Sequence, residues 1–269
     1  GQFANWFGER VTVKLRRVSI EEVLFRQRRP SQLAKLKMAL EVERMNKLVE
    51  AFVKSEAYGD LKDARIISPM PASDKLFYAQ FIYALDDLMR QLNWYAFTHT
   101  PEDIAGRVAQ IAEGAQFMLM VDISRMDGNL NASVRGFELS MMRSVFDKGE
   151  VKDLMRAMAG QFARMGEVAP SNREVDDCIW LFRMYMILLA RCSGSMETAF
   201  CNTGSAAAIY YLACRLLGWS HDEAIRWLDS KALLGGDDGV VADLDPTAVR
   251  EAAKLLGFTV KVEVIMRGE

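Results

Sequence analysis

Two short apolar runs enclose a turn with adjacent carboxylates, and this feature constrains the fold more than any other. Residues 232–235 and 240–242 flank the sequence G-D-D-G at 236–239. Apolar segments of this length, separated by a turn of glycine and aspartate, are typical of a β-hairpin. A lone Asp-Asp turn is usually an ordinary β-turn, so Asp237 and Asp238 become informative about function only together with other residues.

Another pair of carboxylates follows an earlier apolar segment. Residues 117–123 (FMLMVDI) predict a buried strand that contains Asp122, and Asp127 comes shortly after it. Carboxylates beside buried strands are costly, because desolvation and mutual repulsion both oppose ionisation. A divalent cation removes that cost, and hard oxygen ligands suit Mg²⁺. If this strand lies beside the hairpin, Asp122 and Asp237 can bridge two cations, which stabilise attacking and leaving oxygens in phosphoryl transfer.

Capping and breaking residues predict most of the other elements. Thr100 before Pro101 is typical of a helix start. Asp245 and Gly257 bound a further helix, and residues 258–264 then alternate as a half-buried strand. The order of elements predicts an α+β fold, a sheet with helices on one face. The remaining predicted helices are a long buried one over 198–217 and one that Ser220 caps.

The composition is that of a folded protein without a global charge preference. The chain has 269 residues, of which 51% are hydrophobic and 26% charged, and this excludes a disordered tail, a fibre and a coiled-coil rod. The net charge of −2 excludes a general attraction to nucleic acid, so any such argument must be local. The basic stretch 10–47 is typical of a surface that faces a polyanion. For any single basic residue in it, a position on an ordinary solvent-exposed helix face is the alternative.

The cysteine spacing and the length of the apolar runs argue against several other classes of protein. The four cysteines contain no C-x-x-C pair, so we expect reduced, mostly packed thiols rather than a zinc site or disulfides. No apolar run reaches the roughly 18 to 20 residues that span a bilayer. The chain starts at Gly1 without a signal-peptide pattern, from which we expect an intracellular protein or a piece of one.

A serine-glycine turn and a polar helix face lie between the two acidic sites. Residues 193–202 read S-G-S-M-E-T-A-F-C-N, so Thr198 and Asn202 lie four apart on one face of a helix. A hydroxyl and an amide on one face can hydrogen-bond a ribose hydroxyl. The ordered set D-x-x-x-x-D, S-G-x-x-x-T-x-x-x-N and G-D-D resembles motifs A, B and C of viral RNA-dependent RNA polymerases.

Further phrases extend the resemblance from about Lys54 to the C-terminus. The segment 54–67 looks like motif F, the basic segment of the fingers that faces the phosphates of the incoming nucleotide. It is rich in turn-forming residues and poor in periodicity. Among positive-strand viruses, the phrases at 94–97 (W-Y-A-F), 124–128 (S-R-M-D-G) and 193–198 look most like nodavirus replicases.

The resemblance implies a role for each matched residue. Asp122 and Asp237 match the metal-binding aspartates and Asp238 the supporting acid, for two Mg²⁺ ions or Mn²⁺ in their place. By the same resemblance, Asp127 and Asn202 sense the ribose 2′-hydroxyl, and motif B includes Ser193, Gly194 and Thr198. The residues that would face the triphosphate are Lys54, Lys62 and Arg65.

The resemblance also gives Lys254 a role as general acid for pyrophosphate. An ordinary surface lysine is an equally good interpretation of this residue.

The resemblance also implies the fold and its divisions. We expect the fingers and palm of a right-hand polymerase, the palm being a small antiparallel sheet backed by helices. The family's motif E and thumb begin where this chain ends, so we expect the thumb, like the membrane-anchoring and capping regions, to be missing. The expected divisions are fingers over 1–110, palm with motif A over 111–145, connecting helices over 146–190, and palm with motifs B, C and D over 191–269.

The implied reaction is template-directed attack of an RNA 3′-hydroxyl on the α-phosphorus of a nucleoside triphosphate. The expected partners are template and nascent RNA, nucleoside triphosphates and a second copy of the chain. The expected location is the host cytoplasm, in membrane-associated replication complexes that the chain would contact only through regions outside it. A reverse transcriptase-like polymerase and a catalytically silent RNA-binding or scaffold fragment stay open as alternatives. The pair Asp127 and Asn202 argues against the first, because DNA synthesis favours a bulky residue that excludes the 2′-hydroxyl.

Overall fold

The computed structural model describes residues 1–27, 29–41, 48–55, 65–97, 99–168, 184–192 and 194–268. A 3₁₀ turn occupies Met126–Gly128. The helices are α1 Gln2–Glu9, α2 Ile20–Arg26, α3 Pro30–Ala39, α4 Ala72–Met89, α5 Pro101–Glu113, α6 Ala132–Val145, α7 Val151–Ala159, α8 Thr198–Leu216, α9 His221–Lys231 and α10 Pro246–Leu255. The strands are β1 Leu48–Val53, β2 Ile66–Ile67, β3 Phe117–Ile123, β4 Arg164–Val168, β5 Met184–Ile187, β6 Ala232–Gly235, β7 Asp238–Ala242 and β8 Val260–Met266.

The main sheet is antiparallel and has the strand order β6-β7-β3-β8. The predicted hairpin is confirmed as β6 and β7, and the predicted buried strand is confirmed as β3, which lies between β7 and β8. Val121 is the register partner of Gly239, and Asp122 is the partner of Asp238. The α+β fold is therefore confirmed, and its sheet brings the two acidic sites of the sequence to one end.

Helices cover both faces of this sheet, so the expectation of helices on one face is wrong. Leu119 and Val121 point into the large core that α8 and α10 also enter. On the other face, Met118 and Leu233 pack with Ile111 of α5. The physical reason lies in the uninterrupted apolar run of β3, which is typical of a strand buried on both sides. Helix α5 covers only the end of the sheet that is far from the carboxylates.

A second sheet lies apart from the first, in the order β2-β1-β4-β5. Its strands β1 and β4 are parallel, and the other pairs are antiparallel. The range 146–190 holds α7, β4 and β5, so the expectation that it consists of connecting helices is wrong. The sequence of strand β4, R-M-G-E-V, has almost no periodic pattern of apolar residues. In the fold, Gly166 of this strand lies opposite the ring of Tyr185 on β5. Arg164 of the same strand forms a buried ion pair with Asp74. The division of the chain into fingers and palm stays a prediction.

Part of the basic stretch stabilises the fold. Arg17 binds the carboxylate of Asp153 at 2.8 Å, and Arg26 binds that of Glu22 at 2.6 Å. These two arginines are therefore paired with acids rather than available to a polyanion. Of the other basic residues in the stretch, Arg28, Arg44 and Lys47 lie outside the described residues.

The predicted helix starts and stops are confirmed. Thr100 and Ser220 each form a capping box, and the side chain of Asp245 accepts a hydrogen bond from the Thr247 N–H. Helix α8 ends at Leu216, and Gly218 follows with a φ of 85°. This left-handed conformation favours glycine, which explains why the helix stops there.

The predictions for the last strand and for the cysteines are confirmed in part. Val260 and Val262 of β8 are half-buried as predicted, but Val264 is 41% exposed, because β8 is the outer strand of its sheet. Three cysteines are buried free thiols, as expected, and Cys178 lies outside the described residues. Within the described ranges, we find no helix with the length and apolar character to span a membrane.

The contact between α8 and β7 gives a testable prediction. A Cβ added at Gly239 would lie 2.6 Å from the Tyr210 hydroxyl oxygen and 3.5 Å from the ring carbon that carries it. Gly239→Ala should therefore lower the free energy of unfolding by about 1–3 kcal/mol, the usual cost of overpacking. Adding Tyr210→Phe removes the clashing oxygen and should recover at least half of that loss.

Chemical denaturation of the two single variants and the double variant measures this coupling. Gly136→Ala, where an added Cβ meets open space in an exposed part of α6, is the matched control and should not destabilise the chain. An equal loss in Gly239→Ala with and without Tyr210→Phe would contradict the proposed contact.

Candidate active site

Three carboxylates gather at the open end of the main sheet. Antiparallel pairing sets Asp122 of β3 opposite Asp238 of β7. The backbone N–H of Ile123 donates to the carbonyl of Asp237 at 3.0 Å, so the hairpin turn is fixed to the end of β3. Met120, on the same face as Asp122, is 47% exposed, which leaves this face open to solvent next to the carboxylates.

The charges around the hairpin turn affect the pKa of Asp237. Burial raises the pKa of Asp237, and the nearby charges of Asp238, Asp127 and Asp122 raise it further. Among the described residues, no three acidic, histidine or cysteine side chains form a ready-made metal cluster. Asp122 instead lies 3.6 Å from the ammonium of Lys261, its register partner on β8. A concentration of negative charge with one exposed lysine beside it is the electrostatic setting that a divalent cation would stabilise.

The predicted ribose pair is in direct contact. Asp127 lies in the 3₁₀ turn after β3, and Arg125, just before that turn, has a left-handed φ of 50°. The amide Nδ2 of Asn202 donates to Oδ1 of Asp127 at 2.9 Å. The side chain of Asp127 is 33% exposed, whereas Asn202 is buried on α8. The sequence therefore identified two residues that the fold does bring together, although their role in ribose recognition stays a prediction.

A buried ionic cluster, which the sequence did not predict, supports this pair. It contains Arg135 and Glu138 of α6, Glu197 at the start of α8, and Arg191. The guanidinium of Arg191 also donates to Oδ1 of Asn202 at 2.9 Å. The available signal is a lone arginine in the apolar and small-residue segment 184–192, since a buried arginine needs partners.

The start of α8 faces the carboxylate turn. Gly194 has a φ of 72°, a left-handed conformation, in the loop before α8, and Thr198 is the first residue of the helix. Thr203, which the sequence analysis did not single out, accepts a hydrogen bond at 2.8 Å from the backbone N–H of Gly236. This bond joins α8 to the turn that carries Asp237. Ser193, the first residue of the predicted motif, lies outside the described residues.

Another missed residue is the exposed aromatic side chain beside the turn. Phe97 is 54% exposed, and its ring lies against Gly236. Its position follows from the preceding segment, because Ala96 donates to the carbonyl of Leu234 and Trp94 accepts from the N–H of Leu234. The W-Y-A-F segment, which resembles nodavirus replicases, thus forms an isolated β-bridge to strand β6 at the edge of the main sheet.

The predicted phosphate-facing residues Lys54 and Arg65 lie beside strands of the second sheet. Lys54 directly follows β1 and Arg65 directly precedes β2, and the N–H of Lys54 donates to the carbonyl of Arg65 at 2.8 Å. The two described ends of the segment therefore continue the antiparallel ladder of β1 and β2. The reason is the alternating run L-V-E-A-F-V of β1, which buries Val49 and Ala51. Lys62 lies outside the described residues.

Lys254 occupies the last turn of α10, as the spacing to Gly257 predicted. Its side chain is exposed, and no hydrogen bond or ion pair within the described ranges connects it to the carboxylates. Its general-acid role stays a prediction.

A cleft joins these parts into one site. Its volume is about 550 Å³, enough for a nucleotide-sized ligand by the usual range of pockets. It is lined on one side by Gly236 and Asp237 of the turn, on another by Thr198 and Asn202 of α8, and at its rim by Arg29. The carboxylate of Asp237, the amide of Asn202 and the cation of Arg29 therefore converge on the same space.

Comparison with known proteins gives consistent matches. No family model matches the chain. It is 28% identical over 218 residues to the RNA-directed RNA polymerase of Atlantic halibut nervous necrosis virus, and 30% identical over 222 residues to that of Pariacoto virus. Each match covers 80% of this chain but only 21% of the relative, so the chain spans about a fifth of the length of these curated relatives.

A solved structure supports the same relationship at the level of the fold. It is an insertion-loop deletion mutant of the RNA-dependent RNA polymerase of a human picobirnavirus. The TM-score is 0.71 at 12% sequence identity, over 97% of this chain and 56% of the other. The chain is therefore similar in sequence to nodavirus RNA-directed RNA polymerases and has the fold of a viral RNA-dependent RNA polymerase.

Proposed function

We propose that this chain carries the catalytic centre for RNA synthesis on an RNA template during viral genome replication. The observation that carries the proposal is the cleft in which Asp237, beside its neighbours Asp122 and Asp238, faces Asn202 and its partner Asp127. One wall supplies charge for phosphoryl transfer and the other supplies groups for a ribose. The partners are then template and nascent RNA and nucleoside triphosphates.

The donor set fits divalent cations. Asp122, Asp237 and Asp238 would hold Mg²⁺, or Mn²⁺, through carboxylate oxygens, the ligands that hard cations prefer. When bound, two such ions stabilise the attacking and leaving oxygens of the displacement. The raised pKa of Asp237 supports this assignment, because part of the shift comes from carboxylates whose repulsion a cation relieves.

The protein's own side chains would select and orient the nucleotide. Asp127 can accept and Asn202 can donate a hydrogen bond, and a ribose 2′-hydroxyl does both. Lys54 and Arg65, at the base of the β1–β2 ladder, would bind the phosphates, Arg65 with a planar fork and Lys54 as a point charge. Catalysis of phosphoryl transfer depends mostly on positioning and electrostatic stabilisation. Binding and orienting the nucleotide is therefore a sufficient catalytic contribution from these side chains.

The polar pair Asp127 and Asn202, here called the ribose wall, favours RNA synthesis over reverse transcription. Asn202 is small and polar, and it leaves room for a 2′-hydroxyl beside Asp127. We also propose, from the resemblance to nodavirus replicases, that the protein works in membrane-associated replication complexes of the host cytoplasm, where a second copy of the chain is a further partner.

The first prediction from the proposed function concerns stability and tests the cation assignment without an activity assay. An aspartate whose pKa is raised in the folded state costs stability increasingly as the pH rises above its ordinary pKa, and the full cost is present above the raised pKa. Asp237→Asn should therefore raise the melting temperature at pH 7 in EDTA, and the difference should vanish as the pH falls and the wild-type carboxyl is protonated. Added Mg²⁺ should raise the melting temperature of the wild type more than that of the variant.

Differential scanning fluorimetry at several pH values makes this comparison. Asp222→Asn, at an exposed position in the first turn of α9, is the matched control and should not raise the melting temperature. A lower melting temperature for Asp237→Asn in EDTA, with an undiminished response to Mg²⁺, would contradict the cation assignment.

The second prediction tests the reaction itself. A longer protein that contains the chain and a thumb should extend an RNA primer on an RNA template with ribonucleotides and Mg²⁺. Asp122→Asn should reduce this extension to below about 1% of wild type, because one cation ligand loses its charge. The same substitution should leave the circular dichroism spectrum unchanged, since the Asp122 side chain is 45% exposed.

The alternatives give different results in the same assay. Extension with deoxyribonucleotides in preference to ribonucleotides would indicate a reverse transcriptase. RNA binding without metal-dependent extension would indicate a silent scaffold. Either result would overturn the proposed function.

A further inference from the structure

Arg191 lies at the centre of the buried ionic cluster with every guanidinium nitrogen engaged. Its Nη1 donates to Oε1 of Glu197 at 2.8 Å, and its Nη2 donates to Oε1 of Glu138 at 2.5 Å. Its Nε donates to Oδ1 of Asn202 at 2.9 Å. The side chain is 0% exposed, so no water substitutes for these partners. Its position is therefore fixed by the two glutamates, and Asn202 must adapt to it.

This contact determines which way the amide of Asn202 points. A guanidinium only donates hydrogen bonds, so it can hold Asn202 only through the carbonyl oxygen Oδ1. The amino group Nδ2 is then directed to Oδ1 of Asp127, at 2.9 Å. The opposite orientation would set the Asn202 amino group against the Arg191 N–H and the Asn202 oxygen against a carboxylate. Both contacts would be repulsive.

The fixed amide leaves complementary groups for a ligand hydroxyl. Oδ1 of Asp127 is occupied by Asn202 and lies 3.4 Å from Nε of Arg191. Within the described ranges, Oδ2 of Asp127 has no hydrogen bond, and the side chain is 33% exposed. Asn202 lines the cleft and has a second amide hydrogen. The pair thus offers one acceptor and one donor, which is the combination that a hydroxyl group matches.

The charges of the cluster lead to the same conclusion. Arg135 and Arg191 together balance Glu138 and Glu197, with ion pairs of 2.5–3.2 Å. Asp127 is the additional acid in contact with the cluster. The buried part is therefore neutral, and the remaining negative charge lies on the partly exposed carboxylate of Asp127, beside the cleft-lining Asn202.

We propose that Arg191 is a positioning residue for sugar selection, which holds the Asn202 amide so that Asp127 and Asn202 recognise the 2′-hydroxyl of a ribonucleotide. This inference rests on the proposed function, because it names how that site distinguishes its substrate. Arg191 does not touch the nucleotide; it acts through Asn202.

Arg135 provides a matched control. It is buried in the same cluster and binds the same two glutamates, Glu138 at 3.2 Å and Glu197 at 2.9 Å. Its remaining polar contact is with the carbonyl of Leu189, and it has no contact with Asp127 or Asn202 among the described residues. Substitution of either arginine by lysine should disturb the cluster, but only Arg191→Lys should change the amide.

The experiment compares binding of ATP and 2′-deoxy-ATP, with Mg²⁺, to the 269-residue chain by isothermal titration calorimetry. In wild type, ATP should bind more tightly than 2′-deoxy-ATP. Arg191→Lys should reduce this preference by about tenfold, the value of one hydrogen bond to a charged group. Arg135→Lys should lower the melting temperature by a similar amount and keep the preference within about twofold of wild type.

A second variant tests the inference if Arg191→Lys fails to fold. Asn202→Asp keeps an acceptor for Arg191 but removes the amide donor, so it should show the same tenfold loss of preference. An unchanged preference in either folded variant, or an equal loss in Arg135→Lys, would overturn the inference. Failure of the wild type to bind either nucleotide would contradict the proposed function itself, and the inference with it.

Discussion

The antiparallel pairing of β3 with β7 is the constraint on which the site depends. It sets Asp122 opposite Asp238 and joins Ile123 to the backbone of Asp237. In a strand the side chains alternate between faces, so a register shift by one residue would turn Asp122 into the core. The register is secured by the apolar partners on the core side, Leu119 and Val121, which are nearly fully buried. Hydrophobic packing of the sheet thus places charged groups at its end.

The second support of the site is electrostatic and lies behind the ribose wall. Removing one partner of a buried ion pair typically costs about 3–5 kcal/mol, because it leaves an uncompensated charge. The cluster around Arg191 therefore joins α6, α8 and the segment 184–192 into one rigid unit. Asp127 is fixed to that unit twice, through Asn202 and through its own backbone carbonyl, which accepts from the N–H of Arg191 at 2.9 Å. The site combines an exposed acidic turn with a rigid polar wall.

Local patterns allowed the core of the site to be predicted from sequence. The hairpin, the buried strand and the capped helices each depend on residues close together in the chain, such as Asp245 or the box at Ser220. The acidic residues were found because they lie at or just after the ends of strongly apolar strands. Asp127 and Asn202, which are 75 residues apart, were paired only through the family resemblance, and their contact is present.

The rest depends on tertiary contacts that leave little trace in the sequence. Arg191 binds Glu138, 53 residues away, and nothing in its neighbours indicates that partner. Strand β4 has mixed polarity and strand β5 has only four residues, so no periodicity marks either of them. The cover that α5 provides for the main sheet was missed because an apolar strand such as β3 does not show which element packs on each face.

The central claim is that Asp122 and Asp237 hold divalent cations at the end of the main sheet. The most direct measurement is anomalous X-ray scattering from crystals of the chain soaked with Mn²⁺ and a nucleoside triphosphate. We expect anomalous peaks about 2.1 Å from carboxylate oxygens of Asp122 and Asp237, the distance at which small hard cations bind oxygen. Ordered carboxylates without any peak beside them, in crystals where Mn²⁺ is bound elsewhere, would contradict it.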